Sequence, residues 1–199
     1  MATDVTITSQ DVARAQVARR WNLTFPDPIE ARFEREIGAQ RAKALRRAMP
    51  RTVFVYNVFL IGDYFLAADT FWLAVTLHLA LVTPWMVTAC FLMSRPIAPL
   101  KRNLIIASIP LAIIGGIITV FSVTRDPFAA HYQYFVIIAL IYGNAALRPS
   151  YPLALVISVV TVLVHAAALI LHPGIAPPVA ASAIGALVVA AYVSLNSNF

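Results

Sequence analysis

Asn103–Val123 reads NLIIASIPLAIIGGIITVFSV, an unbroken run without a charged side chain. At about 1.5 Å of rise per helical residue it covers the roughly 30 Å hydrocarbon layer of a bilayer. A lone strand there would leave its backbone polar groups unpaired in lipid, so the run reads as a helix. Five more apolar stretches surround it: Thr52–Ala68, Thr70–Met93, Ala130–Leu147, Pro152–Leu171 and Ile175–Leu195. The first and fourth of the six are short and rich in Tyr and Phe. The expected fold is an all-α polytopic membrane protein, with six transmembrane helices in residues 51–199 and a cytoplasmic arm in residues 1–50. Composition agrees, since 60% hydrophobic and 12% charged residues would not cover a water-soluble surface. No soluble catalytic domain is legible, and the chain is expected to have no enzyme activity of its own.

Basic residues set the expected orientation. Ten of the fifteen precede the first span, from Arg14 to Arg51. Arg95, Lys101 and Arg102 link spans two and three, and Arg148 links four and five. The opposite side holds only Arg125, beside Asp126. Basic loops stay inside, so both termini are expected in the cytoplasm. The net charge of +6 then serves topology and anionic lipid headgroups rather than nucleic acid. The polar arm is too long for a secretory signal, and the first span acts as the anchor. Cys90, the one cysteine, reads as a small packing residue.

In the arm, Val12, Ala15 and Arg19 suit a short helix. Asp27 is a good N-cap and Pro28 a good first residue for a helix over 28–48. That helix gathers Ile29, Phe33, Ile37, Ala44 and Leu45 on one face. Glu30, Glu34 and Glu36 occupy its early turns and Arg41, Lys43, Arg46 and Arg47 its late ones, as the helix dipole favours. It reads as an amphipathic helix on the inner membrane surface or against a partner, with Pro50 marking the turn into span one.

Ionisable groups at membrane depth are functional candidates by default. Asp63 lies about 9 Å inside the outer end of span one, with Tyr56, Asn57 and Tyr64 on its general face. His78 in span two and His165 in span five come out at about 12 and 10 Å. His131 and His172 are shallower. Ser158, Thr161, His165, Ala168 and His172 recur at three and four residues and form one helix face. Three readings fit. The groups are hydrogen-bonded packing residues, or they are polar contacts of a cavity binding a lipophilic or small polar signal. Alternatively they ligate haem b axially, as His78 with His165 and His131 with His172. No metal-binding spacing occurs. Ser108, Ala112, Gly115, Thr119 and Ser122 form a small-residue stripe in span three that permits close helix approach, and span six is similar around Ala183, Gly185 and Ala186. Pro84 is expected to kink span two near Trp85.

The stretch Leu23-Thr24-Phe25-Pro26-Asp27-Pro28-Ile29-Glu30-Ala31-Arg32-Phe33-Glu34, ahead of a basic helix and six short-looped spans, resembles a known module. The link Tyr142-Gly143-Asn144-Ala145-Ala146-Leu147-Arg148 fits the same pattern. Together they are similar to the six-span membrane input module at the N-terminus of bacterial diguanylate cyclases with GGDEF domains, and to modules preceding class III adenylate cyclases. The resemblance implies a sensor in the bacterial inner membrane, homodimeric, that signals to a cytoplasmic cyclase domain or simply anchors and dimerises it. It also implies that haem b is a candidate cofactor on the four histidines. The chain stops at Asn196-Ser197-Asn198-Phe199, where a linker to the cyclase would begin, and carries no GGDEF signature. It therefore reads as a truncated or free-standing module.

The orientation is testable on a Cys90→Ala background. Cysteines placed at Lys101 and Arg148 should react with an impermeant maleimide only from the inner face, and one at Arg125 only from the outer face. Reaction of all three from one side would refute the topology.

Overall fold

The computed structural model describes residues 27–95 and 97–197, and every regular element among them is helical. Six principal helices run as α1 (Asp27–Leu66), α2 (Ala68–Leu92), α3 (Pro99–Val123), α4 (Gln133–Tyr142), α5 (Tyr151–Leu171) and α6 (Pro177–Asn196). Four of them, α2, α3, α5 and α6, are long and apolar enough to cross a membrane. The expectations for residues 1–26, including the short helix at Val12, Ala15 and Arg19, lie outside the described residues.

Proline starts three of the long helices. Pro99, Pro152 and Pro177 sit at first-turn positions, where a missing N–H breaks no hydrogen bond. The residues just before those helices, Ala98, Ser150 and Ala176, have ψ of 145°, 147° and 142°. An extended residue ahead of the first turn turns the chain sharply into each helix.

The two short stretches depart from single spanning helices. The first is the C-terminal part of α1, which continues through Pro50 without a turn for 40 residues. Proline removes one backbone bond there, but packing on both sides holds the line: Leu45 and Met49 are buried before it and Tyr56 and Asp63 after it. Of the face expected for the arm, Leu45 is buried and Ala44 exposed, while the side chains of Ile29, Phe33 and Ile37 lie outside the described residues. The fourth stretch is segmented into a 3₁₀ turn at Ala129–His131, α4, and a π turn at Gly143–Leu147. Arg148 ends it with φ 49° and ψ 60°, the left-handed conformation that stops a helix.

Span two is likewise reshaped by its proline. A π segment, Leu77–Val82, lies immediately before Thr83 and Pro84. Pro84 cannot donate to the preceding turn, and a wider turn accommodates the unmatched carbonyl. The irregularity falls N-terminal to Pro84 rather than at Trp85, and it contains His78.

Helix α3 is the hub, packing against α2, α4 and α5, while α6 closes onto α4 and α5 and α1 lies along α2. Ile106, Ile109, Ile113, Ile114, Ile117 and Phe121 supply its buried side. The expected small-residue stripe makes this contact only in part: Ser108 accepts a hydrogen bond from Trp85 of α2 at 3.1 Å and Ala112 packs on the core, while Gly115, Thr119 and Ser122 face outward. In α6, Ala183 is buried and Gly185 and Ala186 face outward. The close approach lies elsewhere. A Cβ on Gly143 would stand 2.7 Å from Cβ of Pro110, so α3 and the π turn meet almost backbone to backbone.

Gly143→Val should therefore lower stability by about 1–3 kcal/mol through overpacking. Gly185→Ala, with nothing within 4 Å, should leave it unchanged. Thermal unfolding of both variants in detergent checks the pair; equal midpoints would refute the contact.

Candidate functional site

Asp63 projects from α1 into the bundle and is only 1% exposed. A buried carboxylate needs donors, and two neighbouring helices supply them. Tyr132, at the start of the fourth stretch, donates its hydroxyl to Oδ1 of Asp63. His78, in the π segment of α2, brings Nε2 to 3.3 Å from Oδ2, close enough for charge pairing but out of line for a hydrogen bond. Tyr56, two turns before Asp63 on α1, stacks on the His78 ring with centroids 4.0 Å apart and planes 5° apart. Helices α1 and α2 and the fourth stretch are thus tied at one buried point.

This cluster stands at the wall of a cavity of about 320 Å³ between α1, α2, α3 and the fourth stretch. Apart from Asp63, His78, Tyr56, Thr52, Tyr142 and Arg51, its lining is hydrocarbon or aromatic ring, including Leu45, Met49, Val55, Ile113, Ile117 and Ile138. Phe135 lines it too. Its ring packs edge-on to Phe59 at 5.0 Å and would lie 2.3 Å from a Cβ at position 62, so Gly62 makes room for it. Thr52 and Tyr142 join their hydroxyls at 2.5 Å across the same gap. Helices α1 and α4 therefore meet through side chains around a void.

The other candidates lie apart. Asn57 donates to the Val53 carbonyl and to Oγ1 of Thr83, both at 2.9 Å, as a helix-packing contact. Tyr64 is 56% exposed and packs edge-on against Phe65 and Phe71. His165 faces the core of α5 beside Phe121, with ring centroids 5.4 Å apart, and does not line the cavity. Both its nitrogens, and Oγ1 of Thr161 one turn away, are buried without a hydrogen-bond partner among the described residues. His131 is exposed, with Nδ1 3.3 Å from the Phe128 carbonyl.

His172 belongs to a staple at the end of the bundle. Its Nε2 donates to the Thr124 carbonyl at 2.9 Å, and its Nδ1 accepts the Gly174 N–H at 3.1 Å. Thr124 in turn donates its hydroxyl to Asp69 at 2.5 Å, and the Arg125 N–H reaches the other carboxylate oxygen at 2.6 Å. Three interhelix links are joined in one chain of bonds. With both nitrogens of His172 engaged, His131 and His172 do not form an axial pair as packed. His165 does not line the cavity that His78 lines. Among the described residues no group of three or more His, Cys, Asp or Glu side chains is arranged for a metal ion.

Two polar partners escaped the sequence reading. Tyr132 is one of several aromatics in the fourth stretch, and its place two residues inside the expected start at Ala130 gave no sign of contact with the deeper Asp63. Asn144 lay in the expected link between spans four and five. It is buried in the π turn and donates at 2.9 Å to both Ser158 and Ser194, tying α5 and α6 to the fourth stretch. Compared with protein-family models, curated proteins and solved structures, the chain finds no match in any of the three.

Removing the carboxylate tests the cluster. Asp63→Ala should cost about 1–3 kcal/mol by leaving Tyr132 and His78 without their partner. A double-mutant cycle with Tyr132→Phe should give a coupling energy of about 0.5–3 kcal/mol. Strict additivity would mean the two groups do not interact.

Proposed function

We propose that this protein is a membrane-embedded sensory input module that binds a lipophilic signal in the cavity beside Asp63. In this reading six segments cross the bilayer, including the C-terminal part of α1 and the segmented fourth stretch. The fourteen-to-one bias of basic residues keeps both termini cytoplasmic. The observation that carries the proposal is the void itself: a mostly apolar cavity lined by α1, α2, α3 and the fourth stretch, with one buried carboxylate and one histidine at its wall. Apolar walls with a few convergent polar groups are the general form of a small-molecule site.

Transmission follows from α1. It is one uninterrupted helix from Asp63 to Asp27, so a shift between α1 and α4 at the cavity becomes a displacement of its cytoplasmic end. Helix α6, packed on α4 and α5, carries the same change to the other terminus. The output is a cytoplasmic nucleotide cyclase domain, most naturally a diguanylate cyclase working as a homodimer; that part rests on the resemblance of Leu23–Glu34 and Tyr142–Arg148. A second reading, a haem b-binding redox anchor, draws on the two nitrogens of His165, which have no hydrogen-bond partner among the described residues.

Filling the cavity mimics its occupant. Ala139→Phe should change the distance between nitroxides at Gln40 and Lys101 in lipid nanodiscs by several ångströms, because Ala139 lines the void and both label positions are exposed. An unchanged distance distribution in a folded variant would sink the transmission mechanism. Sharp dithionite-reduced absorption bands, lost on His165→Ala, would instead establish the haem reading.

A further inference from the structure

The cavity has a direction. Along α1 it extends from Leu45 to Asp63, eighteen residues or about 27 Å of helix, so it is a groove rather than a sphere. Its side reaches the outside of the bundle: Val55 and Ile138 line it from α1 and α4 and are 54% and 46% exposed. Its ends differ chemically. At one lies Asp63, already held by Tyr132 and facing His78. At the other lies Arg51, exposed, lining the cavity, with exposed Arg47 one turn earlier on the same helix.

Building on the cavity reading above, we infer that the groove takes a single-chain anionic amphiphile, a fatty-acid anion or its equivalent. Its head lies at Arg51 and its chain runs towards Asp63. A carboxylate brought to the Asp63 end would meet another acceptor in a medium of low dielectric, which repels it. Arg51 offers a forked donor at the level where an amphiphile's head naturally sits, and pairs with carboxylate or phosphate through two bonds. The hydrocarbon walls match an acyl chain along their length, and the exposed seam at Val55 and Ile138 admits it sideways from the bilayer. Burial of Asp63 against Tyr132 closes the far end, so chain length is limited by the distance from Arg51 to Asp63, twelve residues or about 18 Å along α1.

Equilibrium binding of radiolabelled laurate to the protein in phosphatidylcholine nanodiscs, corrected for empty nanodiscs, tests this. One saturable site per chain is expected, weakened about fivefold or more by Arg51→Gln, the loss of one basic contact at the membrane surface. Arg125→Gln, on the other side of the bundle, should leave binding unchanged. Ile138→Trp should abolish it, with circular dichroism confirming that the variant folds. Dodecanol should compete poorly and dodecylamine not at all. If dodecanol competes as well as laurate and Arg51→Gln has no effect, the head is not read; the inference falls while the lipophilic cavity stands. If dodecylamine binds and Asp63→Asn removes it, the polarity is reversed and the inference is overturned. If neither laurate nor dodecanol binds saturably, both the inference and the cavity reading fall.

Discussion

A carboxylate cannot be left unpaired inside an apolar bundle, and the arrangement around Asp63 follows from that requirement. The penalty for an isolated buried charge is several kcal/mol at least, far beyond what any single packing contact offsets. Tyr132 and His78 meet it from two other helices. The result is a polar tie where α1, α2 and the fourth stretch would otherwise touch only through hydrocarbon. Hydrocarbon contacts between helices gain little in lipid, because the tails are equally apolar. The polar tie therefore fixes which turn of α1 faces which turn of its neighbours.

The cavity is the counterpart of that tie. Helix α1 and the fourth stretch are joined at Asp63–Tyr132, at Gly62–Phe135 and at Thr52–Tyr142. Between those points small and aliphatic side chains leave a void of about 320 Å³. Close packing elsewhere shows that the fold can exclude such space: Pro110 against Gly143 brings two backbones nearly into contact. A void bridged by such ties can change shape without the bundle coming apart, and one of its walls belongs to a 40-residue helix.

Backbone irregularities cluster beside these polar groups. His78 sits in the π segment forced by Pro84, and Asn144 in the π turn before Arg148. A wide turn re-aims the side chains it carries relative to a regular helix. In both places the re-aimed residue bonds or pairs across helices. The closest approach to α3 is made by Gly143 against Pro110, away from Gly115, Thr119 and Ser122, which face outward.

Helical class, the apolar character of α2, α3, α5 and α6, the candidacy of Asp63 and His78, and the inward face of Ser158, Thr161 and His165 were all legible in the sequence. Each follows from composition or from the 3.6-residue period, which are local properties. The partners were not. That Tyr132 rather than His165 meets Asp63, that His172 is consumed by Thr124 and Gly174, and that α1 runs straight through Pro50 depend on which helices neighbour which. Equal depth places residues on one level of a bundle without ordering the helices around it. That order was decided by packing in three dimensions, where α3 took the centre and opened the space between α1 and α4.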